Sequence, residues 1–482
     1  MEKLCLKITN LKFIFLLAGL LFQVLFISNV CAVDLPKIKK VELIQDNNSS
    51  KVVINLTKQV NKLPLIMATL KTVSFDLGAL LSSQLPPRIK QGDGFVDKVL
   101  WYPYVDKTTF EIKRKYYSPV NVIKQDKSSV IIIELPRNYF NKESQELKPG
   151  IVKHLIRTEN KRGPVVADLL EIDLANENIS VKVGLPNKKN LKTKDTLTNI
   201  VKGEMAFLGI NANYFDVKVG NPLGVLVSNG EWLVGPVYDR AAIGFTDNKK
   251  VLIDKVMLTG SATIYRGFRK KEVSMFDIDG FNTPVHLYSM FGFFNSKWDE
   301  KLDDVQAAVV KKDCIKKITK NEARIMDDGY IIASKKDISL KDYVKKRDCL
   351  KIEWKQEPDW SNVKEAISGG PYLLMDGGIF VDDKVEHIKF AKKETYAPRS
   401  AIGIGKNGNL YLITVDGRNN GYSVGLTLKE LAELLKKLDL KDAINLDGGG
   451  STELVIDGKI INKLSEHHER KIANALLIFY KD

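Results

Sequence analysis

Apolar positions along this chain recur with two different periods. Leu410-Tyr411-Leu412-Ile413-Thr414-Val415 is a short run rich in β-branched and aromatic residues, and Ala443 to Leu446 is another; runs of this length and content predict strands. Between them Leu428, Leu431, Leu434, Leu435 and Leu438 return at helical spacing, which predicts a helix with one apolar face. Thr427-Leu428-Lys429-Glu430 reads as a capping box, in which the Thr hydroxyl and the Glu side chain satisfy free N–H groups at the helix start. Strand, loop, helix and strand together have the length of a βαβ unit. If the two strands are parallel, Asp416 and Asp447 leave the same carboxyl edge of the sheet, which is where open α/β sheets bind ligands. The expected fold of residues 150–482 is therefore α+β or mixed α/β. Upstream the pattern changes. Val41-Glu42-Leu43-Ile44, Lys51 to Leu56, Lys71 to Leu77, Asp97 to Tyr102, Thr109 to Lys113 and Ser129 to Leu135 are short runs separated by turn residues such as Asn48, Pro64, Pro86 and Gly94. They predict a small all-β sandwich over 33–140, joined to the second domain by Asn138 to Pro149.

The candidate chemistry collects at the ends of the two late strands. Asn445-Leu446-Asp447-Gly448-Gly449-Gly450-Ser451-Thr452 delivers a carboxylate into three glycines and two hydroxyls. Glycines let a backbone approach a ligand closely, and consecutive exposed N–H groups form an anion-binding nest. A plain tight turn is the other reading of such a run. Asp416-Gly417-Arg418 closes the earlier strand, so two carboxylates, an arginine and a glycine nest are expected at one crevice.

With these residues in hand, the chain from about Gly150 onward resembles the phosphodiester glycosidase family. The resemblance rests on ordered blocks: Ile210-Asn211-Ala212-Asn213-Tyr214-Phe215-Asp216, Ser368-Gly369-Gly370-Pro371, Pro398-Arg399-Ser400-Ala401-Ile402-Gly403, Asp416-Gly417-Arg418 and Asn445 to Ser451. Asn211-Ala212-Asn213 departs from the family pattern in lacking its second glycine. The resemblance implies that Arg399 binds phosphate and that Gly448, Gly449, Gly450 and Ser451 donate to it. Asn211 and Asn213 would hold sugar hydroxyls or an acetamido group, and Gly369, Gly370, Arg418 and Thr452 would complete the substrate site. Asp447 and Asp416 are the candidate nucleophile and base, in either order. A divalent cation between the carboxylates is compatible with this set, and no cofactor is required. The strand order of residues 33–140 resembles the AMIN domain of cell-envelope proteins, which implies peptidoglycan binding.

An internal echo accompanies the blocks. Gly224 to Gly230 followed by Asp239-Arg240-Ala241-Ala242-Ile243-Gly244 is matched by Gly370 to Gly377 followed by Pro398 to Gly403. Each half reads as a hairpin and then an Arg before a small-residue strand, a two-fold duplication rather than a solenoid array. Arg240 and Arg399 are thereby expected at related positions facing one anionic site, since a guanidinium matches phosphate oxygens bidentately. The competing reading pairs them with carboxylates such as Asp239.

Length and composition set the context. A chain of 482 residues with 44% hydrophobic content has room for two or three globular domains. Lys3, Lys7 and Lys12 precede an apolar run from Phe13 to Ile27 that ends at Val30-Cys31-Ala32, the pattern of a signal peptide over 1–32; a retained anchor is the alternative, and no later run is long enough to cross a bilayer. Export to the periplasm, envelope or medium is the expectation. In an exported chain, Cys314 and Cys349 invite one disulfide, stapling a Lys-rich stretch around 300–355 that lacks family motifs and reads as an insertion. The net charge of +15 draws the protein to anionic wall polymers or sugar phosphates, and no nucleic-acid recognition motif is present.

The leading expectation is an exported hydrolase that cleaves a sugar from a sugar-1-phosphodiester in wall or exopolysaccharide material. A catalytically silent wall-binding protein on the same fold is the alternative. A zinc peptidoglycan amidase is disfavoured, because His154, His286, His387, His467 and His468 show no ligand spacing.

Overall fold

The computed structural model describes residues 34–481, apart from 47, 85–87, 91, 125–128, 138, 189–190, 238–239, 279–290, 295–299, 324–325, 327–328, 335–338 and 382–394. The signal-peptide reading of 1–32, and Asp239, His286 and His387, lie outside the described residues. The chain divides after Arg137 into two compact units.

The first unit is built from two sheets. One has the order Leu80–Leu81, Lys37–Gln45, Ser49–Leu56, Val130–Pro136, Asn121–Lys124; the other runs Ile66–Ala68, Thr72–Leu77, Thr108–Arg114, Val96–Pro103. Strict alternation sends Val52, Ile54 and Leu56 inward from one sheet and Phe75, Phe110 and Ile112 from the other into a common core, with Phe75 stacked on Phe110 at 5.1 Å. The period of two is what lets each sheet bury one face.

In the second unit the expectation of an α+β or mixed α/β catalytic region is overturned. Strand accounts for 54% of the structure and helix for 6%, and the described α-helices are Leu197–Gly203 and Leu428–Lys437. The main sheet has eight strands in the order Phe140–Lys148, Ile151–Asn160, Gly163–Ile172, Leu410–Val415, Arg399–Gly405, Leu440–Asn445, Tyr372–Met375, Gly378–Ile379. Every neighbouring pair is antiparallel. Leu410–Val415 and Leu440–Asn445 do run in the same direction, but Arg399–Gly405 lies between them, so they form no βαβ pair.

The misleading signal has a physical cause. All of Leu410–Val415 is buried, a pattern usual for strands of parallel sheets covered on both sides. Here an antiparallel strand is covered on both sides. Leu410 and Leu412 face one core, while Tyr411, Ile413 and Val415 face another that includes Leu428, Leu431, Leu434 and Leu435 of the helix. Each of those helix leucines contributes about 1.5–3 kcal/mol on burial. The helix itself starts at the capping box, with Glu430 N donating to Thr427 Oγ1 at 3.2 Å and Thr427 N to Glu430 Oε2 at 3.0 Å.

Two five-stranded sheets complete the frame. One runs Ile179–Gly184, Ala475–Tyr480, Leu208–Asn211, Leu454–Ile456, Lys459–Ile460, and the other Glu231–Val234, Leu226–Ser228, Val363–Ser368, Ala241–Thr246, Val251–Lys255. The latter repeats half of the main sheet. In both, a hairpin is followed by a strand ending at the site (Val363–Ser368 or Leu440–Asn445), then by the strand behind an arginine (Ala241–Thr246 or Arg399–Gly405), then by its hairpin partner. Strands between Met257 and Glu357 close into a barrel, and the stretch around 300–355 falls inside it. Cys314 and Cys349, paired across neighbouring barrel strands, are disulfide-bonded.

That bond closes a loop with a sequence separation of 35, for which chain entropy gives roughly 2–4 kcal/mol. Replacing both cysteines by serine should lower the opening free energy for amide exchange of the barrel strands by that amount. Exchange in Arg399–Gly405 should be unchanged.

Candidate active site

Asp416, Arg399 and Asp447 emerge from three neighbouring strands at one edge of the main sheet. Arg399 is the register partner of Val415, and Leu446 N donates to Ser400 O at 2.8 Å. Register also separates them. Residues opposite each other share a face and successive residues alternate, so Arg399 lies on the face of Val415 and Asp416 on the other, with Thr414 and its partner Asp168.

Arg399 is buried. Its Nε donates to Leu426 O at 2.9 Å and its Nη2 to Thr395 O at 2.5 Å. Among the described residues no carboxylate pairs with it; burial, and then the charge of Arg418, pull its pKa down against the favourable Tyr214. Arg240, buried at the start of the equivalent strand, lies over the Tyr214 ring at 5.4 Å. Tyr214 donates to Gly370 O at 3.0 Å and accepts from Asn445 Nδ2 at 2.7 Å. Burial and the Asp447 charge raise its pKa, opposed by Arg399 and Arg240. One tyrosine thus stands among Asp447 and two arginines from different sheets.

Asp447 is partly exposed. Desolvation pushes its pKa up to about 6, against the pull of the Ser451 hydroxyl, the Arg470 guanidinium and the Gly448 N–H. At neutral pH it is mostly a carboxylate. Asp416 is a different kind of acid. Its Oδ1 accepts from Lys463 N at 2.9 Å and Asn462 Nδ2 at 3.3 Å, its Oδ2 is buried without a partner, and burial followed by the Asp168 charge lifts it to about 7. Asp168 itself pairs with Lys153 at 3.0 Å. The strand order puts the Asp416 and Asp447 backbones two strand spacings apart, about 10 Å. The single crevice expected for both carboxylates is therefore replaced by two neighbouring environments.

Several other expected roles change. Asn213 is fully committed: its amide donates to Leu223 O and Val225 O at 3.2 and 3.1 Å, and its oxygen accepts from Ser368 N and Asn474 Nδ2 at 3.1 and 3.0 Å. Asn211, also buried, donates to Asp447 O at 2.6 Å and accepts from Ser400 Oγ and Glu453 N at 2.7 and 3.1 Å. The bonds of both side chains are made to protein groups, which gives them a scaffold role in this structure. In the glycine turn Gly449 N donates to Pro398 O, Ser451 N to Gly448 O and Thr452 N to Gly449 O, so these three N–H groups are already used. A short turn meets its own backbone demand first. Gly369 allows close packing, because a Cβ there would overlap Asn445 O, and Gly370 supplies the carbonyl under Tyr214. Arg418 is exposed, with Nη2 3.1 Å from where a Gly449 Cβ would stand. Thr452 Oγ1 and Asn445 Oδ1 are buried with no protein partner.

Sequence reasoning passed over Tyr214, Asn445, Asn462 and Arg470 as site residues. Tyr214 and Asn445 stood inside the quoted blocks, but an aromatic after a strand is ordinarily core. Nothing local marks Asn462 or Arg470. No group of three or more metal-ligating side chains exists among the described residues, and no step below uses a metal.

Comparison with known proteins bears on the same residues. Residues 303–479 match the phosphodiester glycosidase family. The matched stretch starts inside the barrel and carries Arg399, Asp416 and Asp447; Tyr214 and Arg240 precede it. The uncharacterized SPbeta prophage-derived protein YomE of Bacillus subtilis (strain 168) is 41% identical over 85 residues, which is 18% of this chain and 13% of that protein. The N-acetylglucosamine-1-phosphodiester alpha-N-acetylglucosaminidase of Mus musculus is 34% identical over 112 residues, 21% of each. The chain thus spans a minor part of the length of these relatives. A hypothetical protein from Synechocystis shares the fold, with a TM-score of 0.64 over 93% of this chain and 81% of its own at 18% identity.

The raised Asp416 makes a stability test. A carboxyl at about 7 when folded and about 3.9 when unfolded binds its proton more tightly in the folded state. Its contribution is therefore full below about pH 4 and is lost as pH rises through 7, by at most about 4 kcal/mol. Asp416→Asn should flatten that fall: melting curves from pH 5 to 8 should show the variant gaining on the parent as pH rises. A constant offset between the two would count against the raised carboxyl.

Proposed function

We propose that the second unit is a hydrolase that cleaves a sugar from a sugar-1-phosphodiester. The observation that carries this reading is the buried Arg399, with no described carboxylate partner, converging with Arg240 on Tyr214 beside Asp447. A buried cation without a counter-ion is costly, and a phosphodiester anion would supply the missing charge. Asp447, mostly ionised at neutral pH, would act on the sugar side as nucleophile toward C1 or as base toward water. The C1–O bond breaks with its electron pair going to the phosphate oxygen, and water's oxygen ends on the sugar. Because the leaving group is a stabilised phosphate anion held by guanidinium groups, demand on a general acid is small. Sugar hydroxyls would satisfy Thr452 Oγ1 and Asn445 Oδ1. The likeness of residues 303–479 to the phosphodiester glycosidases supports the reaction class. An N-acetylglucosamine substrate is the finer proposal, suggested by the named mouse relative.

The test compares two variants on two substrates. Asp447→Asn should lower turnover of a sugar phosphodiester by about 10²–10³ in a protein that still melts cooperatively. Arg399→Lys keeps the charge but loses the planar fork, so it should slow the phosphodiester far more than an aryl glycoside of the same sugar. Near-parental turnover for the first, or equal losses on both substrates for the second, would sink the assignment.

The setting is proposed from the sequence alone: an exported protein whose β unit of residues 33–140 holds it to peptidoglycan. The two units have separate cores, so a chain lacking the first should turn over a soluble substrate within a few-fold of the whole protein. It should also sediment less with purified wall. Undiminished sedimentation would place wall binding elsewhere.

A further inference from the structure

One segment bonds Asp416 and packs on the turn that carries Asp447. Between the Lys459–Ile460 and Ala475–Tyr480 strands, Asn462 and Lys463 both donate to Asp416 Oδ1. Six residues later Glu469 accepts from Thr198 N at 3.1 Å and couples to the buried Glu453. Arg470 and Glu466, four residues apart, form an ion pair, with Arg470 Nε donating to Glu466 Oε2 at 3.1 Å and Nη2 contacting Oε1. This pair sits on the glycine turn. A Cβ built on Gly450 would overlap both Arg470 Nη2 and Glu466 Oε1, so the absence of a side chain at 450 is what lets the pair approach. Lys463 in turn rests on the Tyr422 ring at 4.6 Å.

We infer that the Asn462–Arg470 segment is the positioning element of the active site, in which the Glu466–Arg470 pair seated on Gly450 fixes the turn that carries Asp447. The inference rests on the reading of Asp447 as the reacting carboxylate. The groups that face Asp447 come from several elements. Tyr214 follows the Leu208–Asn211 strand, with Arg399 and Arg240 beyond it. Ser451 and the Gly448 N–H belong to its own turn, and Arg470 comes from the segment. Arg418 stands against Gly449. Arg399 is placed to meet the substrate's phosphate, which would neutralise it on binding. Arg470 is held by its ion pair with Glu466. It acts through Asp447 and is a positioning residue.

The test reads pH dependence with and without turnover. Arg470→Gln should move the acid limb of kcat/KM upward by about one pH unit, roughly a tenfold extra loss near pH 5.5 with little change at pH 8. Arg470→Lys should recover most of that shift. Gly450→Ala leaves every charge in place but displaces the pair, and should move the limb in the same direction. Melting curves supply the readout independent of substrate: the effect of Arg470→Gln should grow from pH 5 to pH 8 in the parent and become flat in an Asp447→Asn background. Coupled melting without turnover of any sugar phosphodiester would remove the proposed function and leave this coupling standing. A limb and melting behaviour unmoved by both Arg470→Gln and Gly450→Ala, or a loss equal at all pH values, would overturn the positioning role.

Discussion

Two buried asparagines at the end of one short strand hold this site together. Asn211 bonds the Asp447 carbonyl, the Ser400 hydroxyl of the main sheet and the Glu453 N–H. Asn213 bonds Ser368 and Val225 of the duplicated sheet and Asn474 beside the third. Three sheets therefore meet at hydrogen bonds made by two side chains with almost no remaining capacity. Each bond is worth only about 0.5–1.5 kcal/mol net, but an orphaned buried partner costs about 1–3 kcal/mol. The edge is accordingly fixed in one geometry before any ligand arrives, as a site that works by electrostatic preorganisation requires.

Around that fixed edge the charges are poorly compensated by the protein itself. Arg399 is held by carbonyl oxygens, and Asp416 and Asp447 are both raised by desolvation. Such an arrangement lowers stability and is expected where function demands it. The two acids are tuned by different neighbours. Burial and then Asp168 lift Asp416, whereas Ser451 and Arg470 restrain Asp447, so carboxyls two strands apart in one sheet are raised to about 7 and about 6.

The duplication explains how two arginines reach one place. Ala241–Thr246 and Arg399–Gly405 hold equivalent positions in sheets of equivalent order, and each is preceded by its arginine. The first half ends its neighbouring strand in Ser368-Gly369-Gly370, a packing element beneath Tyr214. The second ends in Asn445-Leu446-Asp447, which carries the acid. One architectural unit, used twice, supplies a packing element and the edge that carries Asp447.

The sequence by itself determined the local features. The capping box at Thr427, the amphipathic helix, the strand ends at Asp416 and Asp447, the echo that pairs Arg240 with Arg399 and the family-like blocks are each written in a few adjacent residues. Tertiary structure decided the rest. Periodicity cannot tell a strand covered on both faces in an antiparallel sheet from one in a parallel sheet, so the insertion of Arg399–Gly405 between two codirectional strands was invisible. Motif adjacency cannot say whether a polar side chain faces a ligand or its own backbone, so Asn211, Asn213 and the Gly449 N–H appeared available when protein partners had taken them. Arg470 has no local signature at all: it matters because the fold lays it across Gly450, and a contact made at long range through a missing side chain leaves no pattern in the neighbouring sequence.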